Sequence, residues 1–203
     1  MARSDIELRS LSALVLAITA ALVPLVGPSA AAAAAAAQPA AQQPSAGQPS
    51  AAQPSADDAY LDALLGSWVV DGTYAGKPAR YRGRGERVLQ GGFLRLHLVD
   101  TAKPPQYEAS VFLAYDPKQK DFVVHWLDNF GAVGARVVAL GRRDGERLVV
   151  TFPYAEGAVR DTFTRDPAAG GWTLLLEEQG SSGAWSTSGS FTFARPAGTK
   201  RPR

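Results

Sequence analysis

The chain has 203 residues, a formal net charge of only +2 and no cysteine. The small net charge gives no global electrostatic reason to expect nucleic-acid binding. The lack of cysteine excludes disulfides, a lipid-modified N-terminal cysteine, Cys-ligated metal sites and Cys nucleophiles, so the folded part depends on its core.

The N-terminal segment has the pattern of a signal peptide over residues 1–30. An apolar stretch, Leu11–Val23, ends before Pro24, and the small residues Ser29–Ala31 follow as a cleavage site. The alternative is an uncleaved anchor, because no charge occurs again before Asp57 and a membrane helix needs roughly 20 apolar residues. We therefore expect an exported protein, periplasmic or extracellular, that contacts the membrane only if this segment stays uncleaved.

A low-complexity linker is expected over residues 31–56. It is rich in Ala, Gln, Pro and Ser, and its repeated Gln-Pro and Pro-Ser units prevent a continuous helix and offer nothing to form a core. Residues 57–197 have the size of a single domain. Residues 198–203 form a short basic tail.

The folded part begins with a short helix and continues as strands. Asp57 and Asp58 are placed to cap a helix that runs through Leu65, where Gly66 stops it. About ten β-rich runs separated by turn signals follow. These runs are Trp68–Tyr74, Ala79–Leu89, Phe93–Val99, Gln106–Tyr115, Asp121–Asp128, Ala135–Arg142, Arg147–Tyr154, Val159–Arg165, Trp172–Gln179 and Trp185–Arg195.

The connections between these runs decide the fold class. They are too short for helical crossovers, so the strands are expected to be antiparallel. A sandwich and an up-and-down barrel both fit such strands, but short consecutive links favour the barrel, whose closure also removes exposed edges. We predict an all-β, antiparallel up-and-down barrel of about ten strands with a short N-terminal helix.

Two resemblances support this fold. Gly66-Ser67-Trp68 before a series of hairpins resembles the opening of calycin barrels, the lipocalin and fatty-acid-binding group. A longer series of motifs is similar to the bacterial domain of unknown function 1579. Those motifs are Leu64-Leu65-Gly66-Ser67-Trp68, Leu89-Gln90-Gly91-Gly92-Phe93-Leu94, Tyr107-Glu108, Tyr115-Asp116-Pro117-Lys118, Trp126-Leu127-Asp128-Asn129 and Phe191-Thr192-Phe193-Ala194-Arg195. The resemblance implies a lipocalin-like barrel without an established activity.

The candidate ligand-binding residues are His125, Trp126, Asp128 and Arg84. Trp126 and Asp128 share one strand face, so a carboxylate beside an indole could anchor a ligand at the rim of an apolar cavity. His125 lies between apolar neighbours and could orient a polar head group, or it could be a satisfied structural histidine. Arg84 alternates with other arginines that are expected outside, because burying like charges is costly, unless one reaches inward to a ligand carboxylate.

Catalysis and cofactors have little support in the sequence. No nucleophile elbow, metal-ligand spacing or phosphate-binding loop occurs, so no catalytic residue, metal or cofactor is expected. Haem is disfavoured because His97 and His125 lie far from the C-terminal strands, where the haem-binding relatives carry their ligand. The predicted function is binding of a small, partly apolar or amphipathic ligand. The alternatives are an interaction module with a packed interior, and a hydrolase or isomerase using His125 with Asp128.

Overall fold

The computed structural model describes residues 56–198, with the side chain at position 133 left out. The predicted signal peptide, the linker up to residue 55 and the tail beyond residue 198 lie outside the described residues. Within them the protein is all-β, with one short helix before a closed antiparallel barrel of ten strands. The elements are α1 (Ala56–Asp62), β1 (Gly66–Tyr74), β2 (Lys77–Val88), β3 (Phe93–Asp100), β4 (Glu108–Asp116), β5 (Asp121–Asp128), β6 (Val138–Asp144), β7 (Arg147–Phe152), β8 (Val159–Asp166), β9 (Gly171–Gln179) and β10 (Trp185–Ala194).

Each strand pairs with the next along the chain, and β10 returns to pair with β1. The closing register places Val69 opposite Ala194 and Tyr74 opposite Gly189. Each of these ten strands therefore has a hydrogen-bonded neighbour on both sides, as the closure of a barrel requires. The predicted up-and-down barrel is confirmed.

The core follows from the alternation of side chains along the strands. In β3, Leu94, Leu96 and Leu98 point inward and are buried, while their neighbours face outward. Apolar residues from nine of the ten strands repeat this pattern, and α1 adds Tyr60 and Leu61 to the same core.

The helix closes one end of the barrel. Tyr60 donates to the carbonyls of Phe163 and Glu146, and Asp57 and Asp62 pair with Arg143 and Arg87 at the ends of β6 and β2. We call this the closed end. The connections β1–β2, β3–β4, β5–β6, β7–β8 and β9–β10 lie at the opposite, open end.

Trp68 lies beside the helix at the closed end and belongs to the core. The indole is 1% exposed, and its Nε1 donates to the Leu64 carbonyl at 2.7 Å. The guanidinium of Arg195 stacks on the indole, with its central carbon 3.5 Å from the ring centroid. The closed end is therefore filled by packing, and a binding site has to be sought at the open end.

Two segments differ from the sequence prediction. Residues Gly131–Arg136 form a 3-10 helix, and β6 begins at Val138 rather than at Ala135. Ala135, where the strand was predicted to begin, lies in this 3-10 helix. Its carbonyl accepts a hydrogen bond from His125 Nε2 at 2.7 Å. The N-terminal helix ends at Asp62, and i→i−3 bonds from Leu64 and Leu65 form a tight turn that leads into β1.

Candidate functional site at the open end of the barrel

The four predicted site residues divide between the two faces of the barrel wall. Trp126 and Asp128 alternate with buried Phe122 and Val124 and therefore face the interior. His125 pairs with Val138, which is 49% exposed, and so lies on the outer face. Two of the predicted residues thus meet inside the barrel and two do not.

Arg84 is directed away from the interior. It pairs with His97 on the outer face, its side chain is 67% exposed, and its Nε lies 3.7 Å from Glu86 Oε2. The inward neighbours of Arg84 in β2 are two buried glycines, Gly83 and Gly85. Arg84 therefore lies on the outer face, as expected for these arginines, and does not reach the interior of the barrel.

His125 and Asp128 do not converge. The ladder between β4 and β5 runs without a register shift from Asp116 opposite Asp121 to Ala109 opposite Asp128. On such a regular strand, side chains three positions apart point to opposite faces. The catalytic hypothesis required a bulge at this point, so it has no His–Asp pair on which to rest.

Trp126 and Asp128 join a hydrogen-bonded network with Tyr107, which lies just before β4. Trp126 Nε1 donates to the Tyr107 hydroxyl at 2.9 Å, and this hydroxyl donates to Asp128 Oδ2 at 3.5 Å. Asp128 Oδ1 accepts from the Phe130 backbone N–H at 3.0 Å. Burial raises the pKa of Asp128, while the Phe130 and Tyr107 hydrogen bonds partly oppose that shift. The network fixes an indole and a carboxylate side by side at the open end.

Asp161 on β8 is the most unusual residue of the interior. It is 2% exposed, and its Oδ1 has no hydrogen-bond partner among residues 56–198. It pairs with Val150 and Leu176 on the neighbouring strands, so its carboxyl group lies among aliphatic side chains. Burial raises the pKa of Asp161 to about 8, because the charged form loses its hydration.

Sequence reasoning missed Asp161, although a signal was present. Val159 and Phe163 flank it at i±2, so an acidic residue interrupts an apolar strand face. Most acidic residues in strands occupy solvated faces, whereas an acid between two apolar neighbours on one face is a candidate buried group.

Aromatic side chains lie at the same end of the barrel as these two carboxyl groups. We call Tyr74, Tyr81, Tyr107, Trp126 and Tyr154, all half-buried, the aromatic mouth. The Tyr81 ring lies 5.7 Å from Tyr107 and 5.6 Å from Phe191, measured between centroids. Burial raises the pKa of Tyr74, Tyr107 and Tyr154, and the charges of Asp128 and Asp161 add to each of these shifts.

The electrostatic character of the open end is acidic. Asp128, Asp161 and Glu178 occupy inward positions of β5, β8 and β9, and none of the three forms an ion pair with a described residue. Lys77 shares this face at the first position of β2, where it is exposed. An apolar interior with a few convergent polar groups is the usual construction of a small-ligand site.

A cleft of about 430 Å³ lies at the rim between β2 and the β3–β4 connection. Ala79, Tyr81 and Asp100 line it, and Tyr81 also belongs to the aromatic mouth. None of the four residues predicted from the sequence lines this cleft. We place the candidate site by the unpaired Asp161 oxygen, because a rim cleft is open to water whereas a buried acceptor requires a partner.

Residues 56–198 lack two kinds of feature. They contain no group of three or more His, Asp or Glu side chains that could hold a metal ion. No described helix is long and apolar enough to cross a membrane.

Comparisons with known proteins do not extend these observations. The chain matches no protein-family model, and no curated protein matches it significantly. The resemblance to the domain of unknown function 1579 therefore stays a prediction.

Proposed function

We propose that this protein is an exported barrel that binds a small, partly apolar ligand at its open end. The observation that carries the proposal is the buried, unpaired Oδ1 of Asp161, which faces the interior next to the aromatic mouth. Leaving a buried acceptor unpaired costs roughly 1–3 kcal/mol. A ligand that donates a hydrogen bond to this oxygen would recover that cost.

The surroundings of Asp161 support a ligand with an apolar part. Gly189 occupies the inward position next to Leu176 in the adjacent strand, and neighbouring side chains already occupy the space of its missing Cβ. The Tyr74 ring and Leu176 border the glycine, and a Cβ there would lie 3.1 Å and 2.9 Å from them. The wall beside Asp161 is thus aromatic and aliphatic, and it suits an apolar body with one polar group.

Native mass spectrometry of the full chain purified from its own cells tests this proposal. We expect an added small-molecule mass on the wild type that decreases in Tyr107→Ala and persists in Arg84→Ala, the matched control on the outer face. The protein mass in the same spectrum shows whether the chain is cleaved near Ala31. An unliganded wild type that also fails to bind the neutral probe N-phenyl-1-naphthylamine saturably would overturn the binding function.

A second candidate, an interaction module, is favoured by the outer surface of the barrel. Val138 and Leu140 on β6 are 49% and 58% exposed and lie two positions apart on the outer face. If the wild type carries no ligand, a partner bound at this face becomes the better explanation. Loss of a co-purifying protein in Leu140→Lys would support it.

A further inference from the structure

We propose that the open end of the barrel selects ligands that carry a protonated amine, with the ammonium group paired to the Asp161 carboxylate. This inference rests on the proposed binding function and specifies its ligand class. It starts from a pair of inward carboxyl groups, Asp161 and Asp128, that lack a basic partner among the described residues. An ammonium group supplies both a hydrogen-bond donor for Asp161 Oδ1 and a positively charged partner for the carboxylate.

Charge complementarity favours a cation over an anion. Asp128 and Glu178 share the interior face with Asp161 at this end, so their carboxylates would repel an anionic head group. Lys77 stands exposed at the β1–β2 turn, away from the buried position of Asp161. Arg160, next to Asp161 in sequence, lies on the outer face, where its Nε donates to Glu177 at 2.8 Å.

The aromatic mouth adds a second reason for a cation. The faces of Tyr and Trp rings attract ammonium groups by about 0.5–2 kcal/mol, more as the site is desolvated. The Tyr74 ring and Leu176, which pairs with Asp161, both border Gly189, and Trp126 is fixed by its bond to Tyr107. A buried carboxylate with aromatic rings at the same end of the barrel is a suitable site for an amine attached to an apolar body.

Binding is expected to release a proton. Burial keeps Asp161 largely protonated at neutral pH in the empty barrel, since its pKa lies at about 8. The ammonium ion stabilises the carboxylate, so the carboxyl proton passes to solvent while the amine keeps its own proton. The other titratable groups that face this region are Tyr74, Tyr107, Tyr154, Asp128 and Glu178. The affinity for an amine should therefore rise about tenfold per pH unit between roughly pH 6 and 8, and level off above that.

Isothermal titration calorimetry with n-octylamine, 1-octanol and octanoic acid tests the inference on the full chain. These probes share one apolar chain and differ in the head group. At pH 8 we expect octylamine to bind at least about tenfold more tightly than the other two. Titrations at pH 7 in two buffers of different ionisation enthalpy should show close to one proton released per octylamine bound.

Asp161→Asn should reduce the octylamine affinity at pH 8 at least about tenfold and remove its pH dependence, while 1-octanol binding stays unchanged. Asp71→Asn removes an exposed acid on the outer face and serves as the control for net charge. If Asp161→Asn fails to fold, the proton release measured with the wild type still tests the amine inference. Octanol or octanoate binding as tightly as octylamine, or binding without proton release, would overturn the amine inference alone. Failure of all three probes to bind would overturn the proposed binding function as well.

Discussion

Asp161 shows how one residue can cost stability and still define a site. A carboxyl group among aliphatic side chains is costly to ionise, so it retains its proton to unusually high pH. Its Oδ1 also lacks the hydrogen bond that nearly all buried polar atoms make. Strongly perturbed acids are candidates for functional groups, and here the missing hydrogen bond and the raised pKa indicate the same residue.

The pH dependence of stability should reveal this residue directly. The pKa of Asp161 rises from 3.8 to about 8 on folding, so the folded state binds the proton more tightly than the unfolded state. Its contribution to stability is therefore fully present below about pH 4 and is lost as the pH rises to about 8. The difference in free energy of unfolding between Asp161→Asn and the wild type should therefore shift in favour of the variant by roughly 2–5 kcal/mol from pH 4 to pH 9. Urea unfolding at both values measures this, and parallel pH profiles for the two proteins would contradict it.

Among the elements of the closed end, β2 packs closely against the segment that follows α1. The backbone of Leu64 passes directly over Gly85 in β2, and a Cβ on that glycine would lie 2.0 Å from the Leu64 carbonyl oxygen. The same oxygen accepts the Trp68 indole N–H. Gly85 is thus required for close approach, so that the turn, the indole and β2 can pack together.

Gly85→Ala should therefore destabilise the barrel by about 2–4 kcal/mol, because backbone rather than a flexible side chain would have to move. The matched control is Gly134→Ala in the 3-10 helix, where an added Cβ meets nothing within 4 Å. That change should alter the free energy of unfolding by less than about 1 kcal/mol. Equal denaturation midpoints for the two variants would show that the close approach at Gly85 has little energetic weight.

For the whole molecule, Arg195 connects the end of the chain to its beginning. Its guanidinium donates to the Leu65 carbonyl at 2.7 Å and to the Ala63 carbonyl at 3.3 Å while it stacks on Trp68. It therefore joins the end of β10, the turn after α1 and the closed-end indole in one contact. The planar fork of arginine allows this combination, whereas the compact ammonium of lysine does not.

Arg195→Lys should consequently lower the free energy of unfolding by about 1–3 kcal/mol although the charge is kept. The control Arg80→Lys changes an arginine in an exposed pair with Asp71, and an effect below about 1 kcal/mol is expected there. Chemical denaturation of both variants gives the comparison. If Arg195→Lys lowered the free energy of unfolding no more than Arg80→Lys, the joining of the two chain ends would depend on the β1–β10 ladder alone.

Much of the barrel was predictable because its signals are local. The bounds of β5 agree with the prediction at both ends, and most other strands differ by one to three residues at a terminus. The faces of β5 were harder to assign, since Val123, His125 and Leu127 are nearly as apolar as Phe122, Val124 and Trp126. The structure places the second set inside and leaves the first half-buried on the outer wall.

The number of strands, about ten, and their antiparallel order were predictable from the sequence, because turn chemistry and side-chain alternation act over a few residues. The set of side chains that share the interior was not predictable in this way, because it depends on contacts between distant segments. Tyr107, Asp128 and Asp161 lie on separate segments, and the closed barrel brings them to one end. The same closure directs Arg84 and His125 outward. Side chains alternate between the two faces of a strand, but the packing of the strand against the rest of the barrel decides which face is buried.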